Sequence, residues 1–135
     1  MHTQDTYFLE LAGKLGVDIK PGEDGACLIT VGEDLPVFVR ANGQGERMEL
    51  SAAVAAELPE AVTYAEMMDL LDTALGPLFD APGIGRDPES GAIILYCILP
   101  FASTTPGEFA EAALQFIDLA SAFVSRLAAM SAADK

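Results

Sequence analysis

Apolar residues recur with two different periods along this chain, and each switch of period marks an element. Phe8, Leu11, Ala12 and Leu15 fall at i, i+3, i+4 and i+7, which predicts a helix over 3–15 stopped by Gly16. A polar turn region from Asp18 to Gly25 contains Pro21. The period then drops to two. Cys27, Ile29 and Val31 share one face of a strand over 26–31. Val37, Val39 and Ala41 lie opposite Phe38 and Arg40 over 36–41, and Met48 and Leu50 alternate with Arg47 and Glu49 over 47–50. Gly32-Glu33-Asp34 and Asn42-Gly43-Gln44-Gly45 separate these strands. Such short connections imply an antiparallel meander.

Ser51 to Val62 is alanine-rich and contains Pro59, which reads as a connector. Thr63-Tyr64-Ala65-Glu66 is a capping box, and the helix it opens carries Tyr64, Met67, Met68, Leu71 and Leu75 on one stripe until Gly76-Pro77. Asp87-Pro88-Glu89-Ser90-Gly91 reads as a turn joining a short strand near Ile84 to a long strand over 92–99. Thr105-Pro106-Gly107-Glu108 is a second capping box, with proline at the first helical position. The last helix runs to about Met130, and Phe109, Ala112, Ala113, Phe116, Ile117, Ala120, Phe123, Val124 and Leu127 form one apolar face. The order α-β-β-β-α-β-β-α predicts one α+β domain over 1–135, with helices packed on a twisted, mostly antiparallel sheet.

The long strand is apolar on both faces. Ile93, Leu95, Cys97 and Leu99 point one way, and Ile94, Tyr96 and Ile98 the other. One face covers the protein's own core, and in a chain of this length the second cover is another copy or a bound partner. Lys plus Arg total 7 against 21 Asp plus Glu, a net charge of −14 that disfavours nucleic acid and anionic membrane surfaces. The same charge suits a solvated acidic surface or a basic partner. No apolar run is long enough to span a bilayer, and the N-terminus lacks the basic and apolar regions of a signal peptide. Cys27 and Cys97 each sit inside an apolar run, so the expected setting is a reducing cytoplasm.

Catalytic patterns are missing. The single histidine is His2, which removes Ser-His-Asp and Cys-His arrangements and any His-based metal cluster. Neither cysteine has a basic neighbour, and Gly83-Ile84-Gly85 lacks the rest of a dinucleotide loop. Asp69 and Asp72 on the second helix, and Asp80 and Asp87 beside the Pro-Gly turn, read as solvated carboxylates with no calcium-loop spacing. No enzyme activity, cofactor or metal is expected.

The element order, the acidity and the run Pro82-Gly83-Ile84-Gly85-Arg86-Asp87-Pro88-Glu89-Ser90-Gly91 before an apolar strand resemble the class I chaperones of bacterial type III secretion, the Tir-chaperone family. The final helix, with Phe109, Ala113, Phe116, Ile117 and Ala120, is similar to the family's C-terminal helix. The resemblance also places a first helix at Leu9 to Gly16, a third strand at Met48 to Leu58 and a dimer helix at Met67 to Leu75. Gly76-Pro77 departs from the pattern.

The resemblance implies a cytoplasmic homodimer that binds the extended N-terminal segment of a secreted effector without ATP and keeps it export-competent. Tyr64, Met67, Met68, Leu71, Ile94 and Tyr96 are the expected dimer interface. Phe8, Leu11, Leu15, Leu28, Thr30, Phe38 and Arg40 are the expected effector contacts. The runner-up is a non-enzymatic α+β adaptor that binds a folded protein.

Overall fold

The computed structural model describes residues 4–16, 19, 26–31, 35–42, 46–57, 59, 62–79 and 81–133. Helix α1 (Gln4–Leu15) leads into strands β1 (Ala26–Val31), β2 (Leu35–Asn42) and β3 (Arg47–Ala55). Helix α2 (Tyr64–Ala74) and a 3-10 turn (Gly76–Phe79) precede β4 (Gly83–Arg86) and β5 (Ile93–Pro100), and α3 (Pro106–Ala133) closes the domain. The five strands form one antiparallel sheet in the order β1-β2-β3-β5-β4. The predicted order of helices and strands is the observed one. The turns expected at 20–25, 32–34 and 43–45 lie outside the described residues.

One face of the sheet holds the core. Val37, Val39, Met48, Leu50, Ala52 and Leu95 are buried against Phe109, Ala113, Phe116, Ala120 and Phe123 of α3. Both strand and helix supply alanines here, and small residues let the backbones approach. The predicted face of α3 is buried except at Ala112, which is half-buried, and Val124, which is exposed. This helix is long and apolar enough to cross a membrane, contrary to the expectation that no such run exists. Its apolar side is instead the floor of the core, and Glu111, Asp118 and Arg126 line its exposed side.

Helix α1 packs on α3. Tyr7 anchors it: its hydroxyl donates to the Thr104 carbonyl at 2.6 Å, and its ring meets Phe101 and Phe109 at 5.1 and 5.8 Å. Burial pushes the Tyr7 phenol above its ordinary pKa.

β3 is longer than the residues alone predict. The connector expected from Ser51 is strand through Ala55, close to the third strand the resemblance implied. Alanine favours helix locally. Here Ala52 pairs with Val37 on one side and Leu95 on the other, and a central strand's two ladders outweigh that preference. The register shifts between Ala53 and Ala55, where the pairing ends in a bulge.

The 87–91 turn is built from its own side chains. Asp87 accepts from the Glu89 amide at 3.0 Å and from the Ser90 hydroxyl at 3.0 Å, and Gly91 takes φ +81°. Cys27 and Cys97 lie on one cross-strand row, Cys27–Val39–Leu50–Cys97, three strand spacings or about 14 Å apart. Both are free thiols.

Gly76-Pro77 makes the tightest junction. A Cβ on Gly76 would run into the Pro82 carbonyl, and one on Gly83 would lie 2.7 Å from the Pro77 ring and 2.9 Å from the Tyr96 ring. A Cβ on Gly85 would meet nothing within 4 Å. Gly76→Ala and Gly83→Ala should therefore each cost about 1–3 kcal/mol, and Gly85→Ala should stay within about 0.5 kcal/mol of wild type. Urea denaturation of the three variants checks this.

Candidate protein-interaction site

Two surfaces remain apolar after the core is filled. The first is α2. Thr63 and Glu66 form the predicted capping box: the Thr63 amide donates to Glu66 Oε1 at 2.9 Å, and the Glu66 amide donates to Thr63 Oγ1 at 3.1 Å. The helix turns Leu70 into the core and leaves Tyr64 (81% exposed), Met68, Leu71 and Leu75 outside, at i, i+4, i+7 and i+11. Leu78 of the 3-10 turn extends this stripe, and Met67 is half-buried at its margin. On another side of α2, Asp69 pairs with Arg126 of α3, whose guanidinium sits 4.9 Å from the Phe123 ring centroid.

Four of the five predicted stripe residues are thus exposed and Met67 is half-buried, while Leu70 and Leu78 were missed. Leu70 and Leu71 are adjacent leucines, and helical spacing by itself admits either as the inward residue. Leu78 lies past the predicted helix end, where periodicity gives no signal.

The second surface is the outer face of the sheet. Leu28 and Phe38 face each other across β1 and β2, 53% and 52% exposed. Their row continues through Ser51 and Tyr96 to Gly83. Thr30 and Arg40 are exposed on the same face, Ile98 is 45% exposed, and Ile94 and Tyr96 are half-buried. The Pro77 ring lies beside Gly83 and Tyr96, so the 3-10 turn carries the α2 stripe to this face.

Among the described residues, charge enters this face in one place. Glu49 accepts from Arg47 Nε at 2.8 Å and from Asn42 Nδ2 at 3.4 Å, with Arg40 Nη1 at 3.7 Å.

α1 corrects the sequence reading. Phe8 and Leu11 are core residues, and Leu15 is partly buried against the core. The helix has one apolar stripe, and α3 takes it, so Phe8 and Leu11 offer no side-chain surface to a client. Leu9 is the outward apolar residue, beside an open groove of about 440 Å³ lined also by Thr6, Glu10, Gly13 and Lys14.

Among the described residues, no three His, Cys, Asp or Glu side chains gather as metal ligands. The carboxylates with lowered pKa values are capping and turn residues. Amide and hydroxyl donors from Thr63 and Thr105 hold Glu66 and Glu108 below their ordinary 4.5, and Glu89 and Ser90 hold Asp87 below 3.8. Burial raises the Cys97 thiol above its ordinary pKa. The arrangement has the chemistry of a binding protein: apolar area, a terminal strand and a few oriented charges.

Comparison with known proteins agrees. The sequence model of the Tir chaperone protein (CesT) family matches residues 8–123, and the chain belongs to that family. By this membership it is a bacterial secretion chaperone, in a family of non-enzymatic proteins. No curated protein sequence matches the chain. Among solved structures, a chain of the HopA1–SchA chaperone–effector complex superposes with TM-score 0.70 at 17% identity, over 93% of this chain and 99% of that one. A chain of the ExsC–ExsE complex gives 0.71 at 20%, over 94% and 97%. The Yersinia pestis type III secretion chaperone SycH, in complex with a stable fragment of YscM2, gives 0.68 at 19%, over 90% and 99%. At these identities the likeness establishes the fold.

The capping carboxylates generate a pH prediction. Because the folded pKa values of Glu66 and Glu108 lie below 4.5, their stabilisation is complete above about pH 4.5 and is lost as pH falls through the lowered values. Acid also neutralises the −14 charge, which relieves self-repulsion. The Glu66→Gln/Glu108→Gln variant isolates the caps: its urea midpoint should fall less than wild type's between about pH 5 and 3.

Proposed function

We propose that the protein is a homodimeric, ATP-independent chaperone of the bacterial cytoplasm, without turnover of its own. In this reading it holds the N-terminal segment of a type III effector extended on its surface and keeps that segment export-competent. The observation that carries the proposal is the pair of exposed apolar surfaces left by a filled core, on α2 and on the outer sheet face. Family membership supports it, and the neighbours seen as a chaperone–effector complex or with a stable partner fragment have the same fold.

The two surfaces divide the work. Tyr64, Met68 and Leu71, with Met67 at the margin, pair α2 with the second copy, and Ile94 and Tyr96 continue that interface onto the sheet. Leu28, Thr30, Phe38 and Arg40 meet the client, with Leu15 at the far end of α1. β1 is a terminal strand of the sheet, so an extended segment adds to it through main-chain hydrogen bonds while alternate side chains lie on Leu28 and Phe38. Held this way, the segment cannot fold. The free energy comes from apolar burial and strand pairing, offset by the cost of ordering the segment, so no nucleotide is needed.

Two outcomes test this. Met68→Glu places a charge in the interface from each copy and should weaken the dimer about 100-fold or more. Sedimentation velocity reads this, and an unchanged dimer would move the interface away from α2. Co-expression with neighbouring genes and pull-down should recover one protein whose N-terminal region resists protease only in the complex. Phe38→Asp should reduce that capture about tenfold or more while leaving the dimer intact.

A further inference from the structure

We infer that Arg126 of α3 is a positioning residue for α2: by pairing with Asp69 it selects which of two apolar lines on that helix turns outward, and so sets the face offered to the second copy. This rests on the reading that α2 pairs the two copies, and it specifies what orients the helix.

The helix repeats its apolar pattern one residue later. Leu70 is buried, with Met67 and Ala74 half-buried beside it, and Met68, Leu71 and Leu75 are exposed at the same i, i+3, i+7 spacing. Successive helical residues stand about 100° apart. A roll of α2 by that angle, with a slide of about 1.5 Å, puts Met68, Leu71 and Leu75 where Met67, Leu70 and Ala74 are. Apolar burial alone therefore discriminates poorly between the two placements, since each sets a leucine in the core.

Arg126 breaks the degeneracy. Its guanidinium lies 4.9 Å from the centroid of the buried Phe123 ring. It pairs with Asp69, and its charge also reaches Glu66, three residues earlier on the same side of α2. After the roll, Leu70 and Met67 would stand in the places of Asp69 and Glu66, and the cation would face two apolar side chains. The Asp69 and Arg126 side chains are 50% and 43% exposed, so the pair is worth at most about fivefold in an equilibrium. That suffices between placements of similar apolar gain. Both copies must present the same line, so the factor enters the dimer constant twice.

Sedimentation equilibrium of full-length variants tests the inference. Arg126→Gln and Asp69→Asn should each weaken the dimer about three- to tenfold, the double variant no more than either alone, and the difference from wild type should shrink at high salt. Leu71→Ala should weaken the interface by itself, but it removes the competitor for the place of Leu70. On that background Arg126→Gln should change the dimer constant less than about twofold. An equal effect on both backgrounds, or none on either, would overturn the role of Arg126 and leave the α2 interface standing. Thermal melts establish that each variant is folded, and Asp69→Asn carries the test if Arg126→Gln is not. If Met68→Glu leaves the dimer unchanged, α2 is not the interface, and this inference fails with it.

Discussion

One long helix covers a five-stranded sheet on one side only, and the rest of the molecule follows from that. α3 lays Phe109, Phe116, Phe123 and Leu127 against the inward residues of the strands, and α1 closes the same layer through Tyr7, Phe8 and Leu11. No third layer covers the outer face among the described residues. Apolar side chains there, and on α2 at the sheet's margin, must find cover outside the subunit or stay in water. Burial of apolar surface stabilises by about 25 cal/mol per Å², so exposed groups such as Leu28, Phe38, Met68 and Leu71 store binding free energy.

The carboxylates with lowered pKa values belong to the framework that sets these surfaces. They are solvent-facing caps and a turn, where they fix helix starts and one connection. The capping box at Thr63 fixes where α2 begins, and the contacts around Gly76, Pro77 and Gly83 fix where its stripe meets the sheet. Local chemistry that looks minor in the sequence therefore sets the geometry of the interaction surfaces.

Much of this was legible beforehand, for definite reasons. α3, α1 and the first two strands announce themselves because a half-buried element repeats its apolar residues at its own period. Both capping boxes are local signals and were read correctly. β3 beyond Leu50 was not, since Ser51-Ala52-Ala53-Val54-Ala55 has weak strand propensity and becomes a strand only between two neighbours. The proposed client site was half legible. Alternation along β2 placed Phe38 and Arg40 together on one side, and the structure left that side open. The same kind of pattern placed Phe8 and Leu11 on one helix face, and the structure closed it.

By itself the sequence determined the order of the elements, the faces each would present and the absence of a familiar catalytic constellation, because periodicity, caps and residue chemistry act over a few residues. Only the tertiary structure decided which apolar faces became core and which stayed outside. Burial is a competition among all faces for a limited interior, and α1 won its place against α3 while the outer strand face and the α2 stripe did not. No short window of sequence contains the result of that competition.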